Sequence, residues 1–182
     1  VDAVAVSMGP GSYTGLRIGV SVAKGISYAL KKPLIAIGTL DAMCHGFIQK
    51  HASSYPQDAL FCPMIDARRM EVFNAVFNNR GETVRGVEAD IIDNVSFSNL
   101  LSEHPVVFFG DGAAKCKEVI TDPNAFFHDD FVPSASFLAQ LSEKALKDEK
   151  FEDIAYFEPY YLKDFIATVS KKLVLLKGKE GR

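Results

Sequence analysis

Alternating and periodic apolar positions predict a succession of strands and helices along most of the chain. The first third predicts a strand, a helix, a strand and a helix, over residues 2–6, 13–30, 34–37 and 39–53. The middle predicts three strands, over residues 59–65, 71–77 and 82–92, with a turn at residues 78–81. Helices over residues 96–103, 112–120 and 134–147 then alternate with strands over residues 106–109 and 125–127. The predicted order is therefore βαβα followed by βββαβαβα.

A glycine-rich junction joins the first strand to the first helix. Gly9 and Gly11 let the backbone take positive φ, and Ser12 or Thr14 can cap the helix that follows. Such a junction can hold an anion at the start of the helix. However, it lacks the Lys-Ser/Thr of a Walker loop, and its glycine spacing misses the dinucleotide fingerprint by one residue. We favour a capped tight turn, with a nucleotide site at Gly9, Gly11 and Ser12 as the alternative.

Small residues form a stripe on the first helix. Gly15, Gly19 and Ala23 recur at every fourth position, so they fall on one face of the helix. Glycine inside a helix costs about 1 kcal/mol relative to alanine, which suggests a compensating close contact with a second helix. We predict an interface of the stripe together with Leu16 and Ile26. The contact can lie within the chain or between subunits.

These residues resemble a known family. The unbroken run GPGSYTGLRIG at residues 9–19 resembles the signature of the bacterial TsaB (YeaZ) family, the glycoprotease-like dimerisation subunits of tRNA threonylcarbamoyladenosine biosynthesis. The segments IDARRMEVF at residues 65–73 and PYYLKDF at residues 159–165 are similar to the same family. The resemblance implies an α/β fold of the actin-like ATPase type, the ribonuclease H-like fold of hexokinase and Hsp70, with a duplicated βββαβαβα unit.

The resemblance also implies a role and partners. It implies a non-catalytic scaffold, possible as a homodimer, that binds the catalytic paralogue TsaD and meets the ATPase TsaE and tRNA through the complex. The first βββαβαβα copy lacks its opening βββα here, so we expect an N-terminally truncated form. We expect the remnant of a first subdomain over residues 1–57, a second subdomain over residues 58–150 and a C-terminal segment over residues 151–182.

Two further segments complete a candidate nucleotide site. Asp66, Arg68 and Arg69 lie at the bend between two predicted strands, where relatives of this fold hold a second phosphate loop. A polar hairpin tip with local Asp–Arg pairing is the favoured reading. Gly110 and Gly112 follow an apolar strand, either as a loop for an adenosine or as a plain turn. The competing function is an autonomous nucleotide-dependent phosphotransferase or hydrolase.

Other reactive side chains predict no catalytic or metal centre. His45 and His51 are six residues apart on one predicted helix, hence on nearly opposite faces, and His104 and His128 are expected at surface turns. Cys44 and His45 are adjacent, so their side chains diverge by about 100°. We therefore assign no catalytic residue and expect no cofactor and no bound metal.

Composition narrows the class of protein. The 182 residues are 48% hydrophobic, enough for one sizeable core or two small ones, and three scattered cysteines fit reduced thiols in the cytoplasm. A net charge of −3 argues against tight binding of nucleic acid by this chain alone. We expect no contact with membranes. The aromatic residues of the C-terminal segment either form an interface or, as we favour, fasten this segment to its own domain; they are Tyr156, Phe157, Tyr160, Tyr161 and Phe165.

Overall fold

A short parallel sheet opens the structure, which is a computed structural model that describes residues 1–162. Strand β1 (Val4–Gly9) leads through helix α1 (Tyr13–Leu30) to the parallel strand β2 (Leu34–Gly38), and helix α2 (Thr39–His51) follows. A 3₁₀ turn, Ala52–Ser54, ends this part of the chain. The predicted βαβα order is present, and the bounds of α1 are those predicted.

A five-stranded mixed sheet follows, with strand order β5-β4-β3-β6-β7. Its strands are β3 (Leu60–Asp66), β4 (Glu71–Phe77), β5 (Thr83–Ile91), β6 (Val106–Phe109) and β7 (Ala125–His128). Strand β4 pairs antiparallel with both β3 and β5, whereas β6 pairs parallel with both β3 and β7. Helix α3 (Ser98–Leu101) lies between β5 and β6 along the chain, and helix α4 (Ala139–Lys147) follows β7 and contacts β2 of the first sheet.

Both faces of the central strands are buried, which explains their near-continuous apolar sequence. On one face, Phe61 and Phe109 pack with Phe47 of α2, and the rings of Phe47 and Phe109 stack with centroids 3.9 Å apart. On the other face, Cys62 and Phe108 pack with residues of the α3 region. A third cluster holds α1 on the first sheet. The core therefore continues from one sheet to the other through α2.

The later helices are shorter than predicted. The helix expected over residues 112–120 is a 3₁₀ turn, Ala114–Cys116, because its backbone makes short-range bonds such as Cys116 N–H to the Ala113 carbonyl. The helix expected over residues 96–103 is confined to α3. Before α4 the chain forms a 3₁₀ turn, Ala135–Leu138, whose start is capped by the Ser134 side chain. Apolar spacing at three and four residues fits such turns as well as a helix.

The C-terminal segment returns to the first sheet. The Glu152 N–H donates to the Leu34 carbonyl over 2.9 Å, and Lys24 Nζ donates to the Phe157 carbonyl over 3.0 Å. The Phe157 ring is buried in the cluster between α1 and the sheet. The favoured prediction is thus confirmed for Phe157, whereas Tyr156 is 84% exposed, and Phe165 lies outside the described residues. No helix among the described residues has the length and apolar character needed to cross a membrane.

Candidate functional site

The loop after β1 turns sharply at Gly9, where φ is +117°, a value that other residues rarely adopt. A Cβ atom on Gly9 would lie 2.7 Å from the Tyr160 carbonyl oxygen. Tyr160 comes this close because its N–H donates to the Met8 carbonyl over 2.7 Å. Ser12 then caps α1, since its Oγ accepts a hydrogen bond from the Gly15 N–H over 3.3 Å. The junction is a capped tight turn, and Gly9 serves the docking of the C-terminal segment.

A cleft of about 580 Å³ opens between this loop and the end of β3. Gly11 and Ser12 line one wall, and Asp66 and Arg68 line the other. The lining also includes Phe73, Asp111 and three tyrosines, which are Tyr13, Tyr160 and Tyr161. The fold therefore brings together two segments that the sequence analysis treated as one candidate nucleotide site.

Other residues of the predicted nucleotide site have structural roles. Gly110 has a φ of +100°, and a Cβ atom on Gly112 would lie 2.8 Å from the Ile65 carbonyl carbon. The Gly112 N–H donates to the Met64 carbonyl over 3.1 Å. These glycines let the loop after β6 pack closely on the end of β3, and they leave Asp111 at the cleft. Together with Gly9, they lie behind the lining of the cleft.

The carboxylate of Asp66 is held by groups of its own chain. Lys115 Nζ donates to Asp66 Oδ1 in a short hydrogen bond, and the Arg68 N–H donates to the same oxygen over 2.9 Å. These bonds, the one from Lys115 above all, hold the pKa of Asp66 below its usual value. The predicted local Asp–Arg pairing is present through the Arg68 N–H, but the ion-pair partner of Asp66 is Lys115. Lys115 lies far along the chain, so no local pattern indicates it.

The turn between β3 and β4 presents two arginines. Arg68 and Arg69 both have positive φ, +73° and +50°, and the Ala67 N–H donates to the Glu71 carbonyl across the turn over 3.0 Å. Three residues therefore connect Ala67 to Glu71, and the Glu71 N–H donates to the Arg68 carbonyl over 3.1 Å within this loop. Both arginine side chains are exposed, and Arg68 lines the cleft.

Helix α1 carries an exposed apolar face, which we call the outer face of α1 and define by Ile18, Val22 and Ile26. Ile18 is 60% exposed, although it is a large apolar side chain. The predicted small-residue stripe is divided between two environments, and its interface role is corrected for Ala23. This residue is buried in the chain's own core, and a Cβ atom on Gly19 would meet Val6 of β1 at 3.9 Å.

The other predicted interface residues are divided in the same way. Gly15 is exposed, whereas Leu16 is half-buried and lines the cleft. Ile18, Val22 and Ile26 also recur at every fourth residue. The sequence analysis considered the glycines, which have the same spacing, and did not identify this apolar repeat.

The histidines pair in a way that sequence spacing did not predict. The rings of His51 and His128 have centroids 4.4 Å apart, and the Tyr55 hydroxyl lies 3.1 Å from His128 Nδ1. His128 therefore ends β7 inside a cluster, and its expected place at a surface turn is wrong. His45 lies apart, within 3.0 Å of Gln140. Within residues 1–162, no three His, Cys, Asp or Glu side chains are grouped so that they could hold a metal ion.

Comparisons with known proteins agree with this fold. The profile of the family described as "TsaD: tRNA N6-adenosine threonylcarbamoyltransferase" matches residues 1–178. A crystal structure of an uncharacterized protein with similarity to peptidase YEAZ from Pseudomonas aeruginosa superimposes with a TM-score of 0.72 at 23% identity. It covers 90% of this chain and 74% of that one. The fold is of the actin-like, ribonuclease H-like α/β class, as predicted.

Relatives with assigned names narrow the family. The tRNA threonylcarbamoyladenosine biosynthesis protein TsaB of Bacillus subtilis (strain 168) is 32% identical, over 65% of this chain and 50% of that protein. The TsaB protein of Escherichia coli (strain K12) is 28% identical, over 99% of this chain and 76% of that protein. The match thus spans half the length of the first relative. The chain belongs to this threonylcarbamoyltransferase family and, within it, to the TsaB (YeaZ) group.

Proposed function

We propose that this chain acts in tRNA threonylcarbamoyladenosine biosynthesis as a scaffold subunit that binds a TsaD-type catalytic paralogue. The observation that carries the proposal is the outer face of α1, whose three large apolar side chains point away from the core. Contiguous exposed apolar surface of this kind marks interaction sites in soluble proteins. The names of the two TsaB relatives supply the pathway.

A paralogue of the same fold suits the outer face of α1. The matching family profile is named for the transferase, so the transferase and this chain share one architecture. A protein of that architecture has a helix equivalent to α1, and two such helices can pair about a pseudo-twofold axis. By the same geometry the chain can form a homodimer when the paralogue is absent.

The chemistry of the cleft supports a non-catalytic role. The carboxylate of Asp66 forms an ion pair with Lys115 of the same chain. We therefore assign no catalytic residue to this chain, and we place the reacting groups on the paralogue. We propose that a TsaE-type ATPase and tRNA join through the complex, and that the protein acts in the cytoplasm.

One observation favours a second candidate, an autonomous nucleotide-dependent phosphotransferase or hydrolase. Gly11, Ser12, Asp66 and Arg68 share one cleft beside the N-terminus of α1, where backbone N–H groups can meet a phosphate. Calorimetric titration of the chain with ATP and Mg²⁺ separates the two functions. An autonomous enzyme must bind ATP in the absence of the paralogue, and its Asp66→Ala variant must no longer bind ATP.

The scaffold proposal is tested by association with the paralogue in size-exclusion chromatography and calorimetry. We expect Ile18→Lys/Val22→Lys to weaken association at least about thirtyfold, because buried apolar anchors at an interface carry about 2 kcal/mol or more. The matched control is Val84→Lys/Ile91→Lys, which changes two exposed apolar residues of β5. Equal affinity of both variants, with unchanged circular dichroism, would contradict the proposal.

A further inference from the structure

Three tyrosines and Arg68 line the cleft, and the exposed Arg69 follows Arg68 in the same turn. We call this set the cleft mouth and define it as Tyr13, Tyr160, Tyr161, Arg68 and Arg69. The tyrosine side chains are between 38% and 41% exposed, so each presents ring surface to solvent. The rings of Tyr13 and Tyr161 have centroids 5.1 Å apart. Exposed aromatic rings beside cationic groups are the arrangement that binds unpaired nucleotides.

The positive charge of the two arginines is available to a ligand. Within residues 1–162, neither the Arg68 nor the Arg69 guanidinium makes a side-chain hydrogen bond or ion pair. The neighbouring carboxylate of Asp66 is taken by Lys115 and by a backbone N–H. Lys115 is thus the main partner of Asp66, with a weaker electrostatic contribution from Arg68, and both arginine side chains are exposed.

A third arginine extends the same surface along α1. Arg17 Nη1 donates to the Tyr13 hydroxyl over 3.0 Å, and its guanidinium carbon lies 5.5 Å from the Tyr13 ring centroid. Arg17 and Tyr13 thus continue the cationic and aromatic set onto α1, on a chain whose net charge is −3. Two acidic residues, Asp66 and Asp111, also line the cleft.

We propose that the cleft mouth contacts unpaired nucleotides of tRNA, with Arg68 and Arg69 on phosphates and Tyr161 stacked on a base. The inference rests on the proposed function, since the paralogue brings the tRNA to this chain. Two phosphate contacts on an acidic chain give weak binding alone, but within a complex they add to the contacts of the partner.

The test measures tRNA binding to the complex of this chain with its TsaD-type paralogue, at 50 and 200 mM salt. Each phosphate contact with unpaired nucleotides adds about 0.7 to the slope of log affinity against log salt. In the Arg68→Gln/Arg69→Gln variant the slope should therefore be smaller in magnitude by about 1.4. The ratio of the affinity at 50 mM salt to the affinity at 200 mM salt should then be about sevenfold smaller. Arg80→Gln/Lys147→Gln removes the same charge from other exposed positions and should leave the slope unchanged.

Substitutions of Tyr161 test the stacking separately. Tyr161→Leu should weaken tRNA binding about fivefold or more, whereas Tyr161→Phe keeps the ring and should bind as the unmodified chain does. An unchanged salt slope in the arginine variant, or an equal change in the control, would overturn the contact while the complex still forms. Loss of ATP binding with unchanged tRNA binding would overturn it in favour of a mononucleotide. If the unmodified chain does not bind the paralogue, that result contradicts the proposed scaffold function, on which the tRNA contact depends.

Discussion

Replacing Gly9 with alanine tests how the glycine-rich loop and the C-terminal segment are joined. At a φ of +117° an alanine is strained by about 1–3 kcal/mol, and its Cβ would lie 2.7 Å from the Tyr160 carbonyl oxygen. Relief of that overlap weakens the bond from the Tyr160 N–H to Met8, worth about 0.5–1.5 kcal/mol. We expect a loss of about 2–4 kcal/mol in the free energy of unfolding, which lowers Tm by roughly 4–16 °C for a chain of this size.

Gly25→Ala is the matched control, because it makes the same substitution inside α1, where an added Cβ meets no atom within 4 Å. Alanine there should raise the free energy of unfolding by about 0.5–1 kcal/mol through helix propensity. Urea denaturation and thermal scans of both variants give the comparison. Equal stability of the Gly9 variant and the unmodified chain would refute the role assigned to this contact.

Three further predictions concern pH, ATP and tRNA. Burial and the neighbouring charges of His128 and Lys50 lower the pKa of His51, so the unfolded chain takes up the proton first and stability falls as pH drops below about 6.5. His51→Gln should lose less stability between pH 7.5 and 5.5 in urea titrations, and an equal loss would contradict this. The chain alone should release phosphate from ATP only at background rate, since Asp66 is engaged by Lys115; turnover abolished by Asp66→Ala would show otherwise. Without the paralogue, tRNA should bind with a dissociation constant of roughly 10⁻⁴ M or weaker at physiological salt, and submicromolar binding in a filter assay would exclude this.

Local patterns were sufficient for the elements at the front of the chain. The helix over residues 13–30 was predicted with its observed bounds, because Ser12 marks its start and apolar periodicity continues to its end. Local patterns were insufficient for residues 112–120, where apolar residues at three- and four-residue spacing form successive turns. The five strands of the second sheet were predicted in their observed succession along the chain, but their spatial order was not predicted.

The candidate site was predictable in its parts but not in its assembly. Ser12 and Asp66 were identified individually, but only the fold shows that they face one cleft. The pairing of Asp66 with Lys115, and of His51 with His128, joins residues far apart in sequence, which periodicity does not report. Tertiary packing also decides which face of α1 turns inward. The sequence did not show this, because the small-residue repeat and the large apolar repeat have the same spacing.

Helix α1 acts as a rigid rod between two surfaces of different chemistry. Its 18 residues span roughly 27 Å, with the first turn at the cleft and Lys24 holding the C-terminal segment by two carbonyls. A protein that moved this rod by docking on its outer face would also move Ser12 and, through Lys24, the segment that carries Tyr160 and Tyr161. Partner binding and occupation of the cleft would then be thermodynamically linked, each changing the affinity of the other by the same factor.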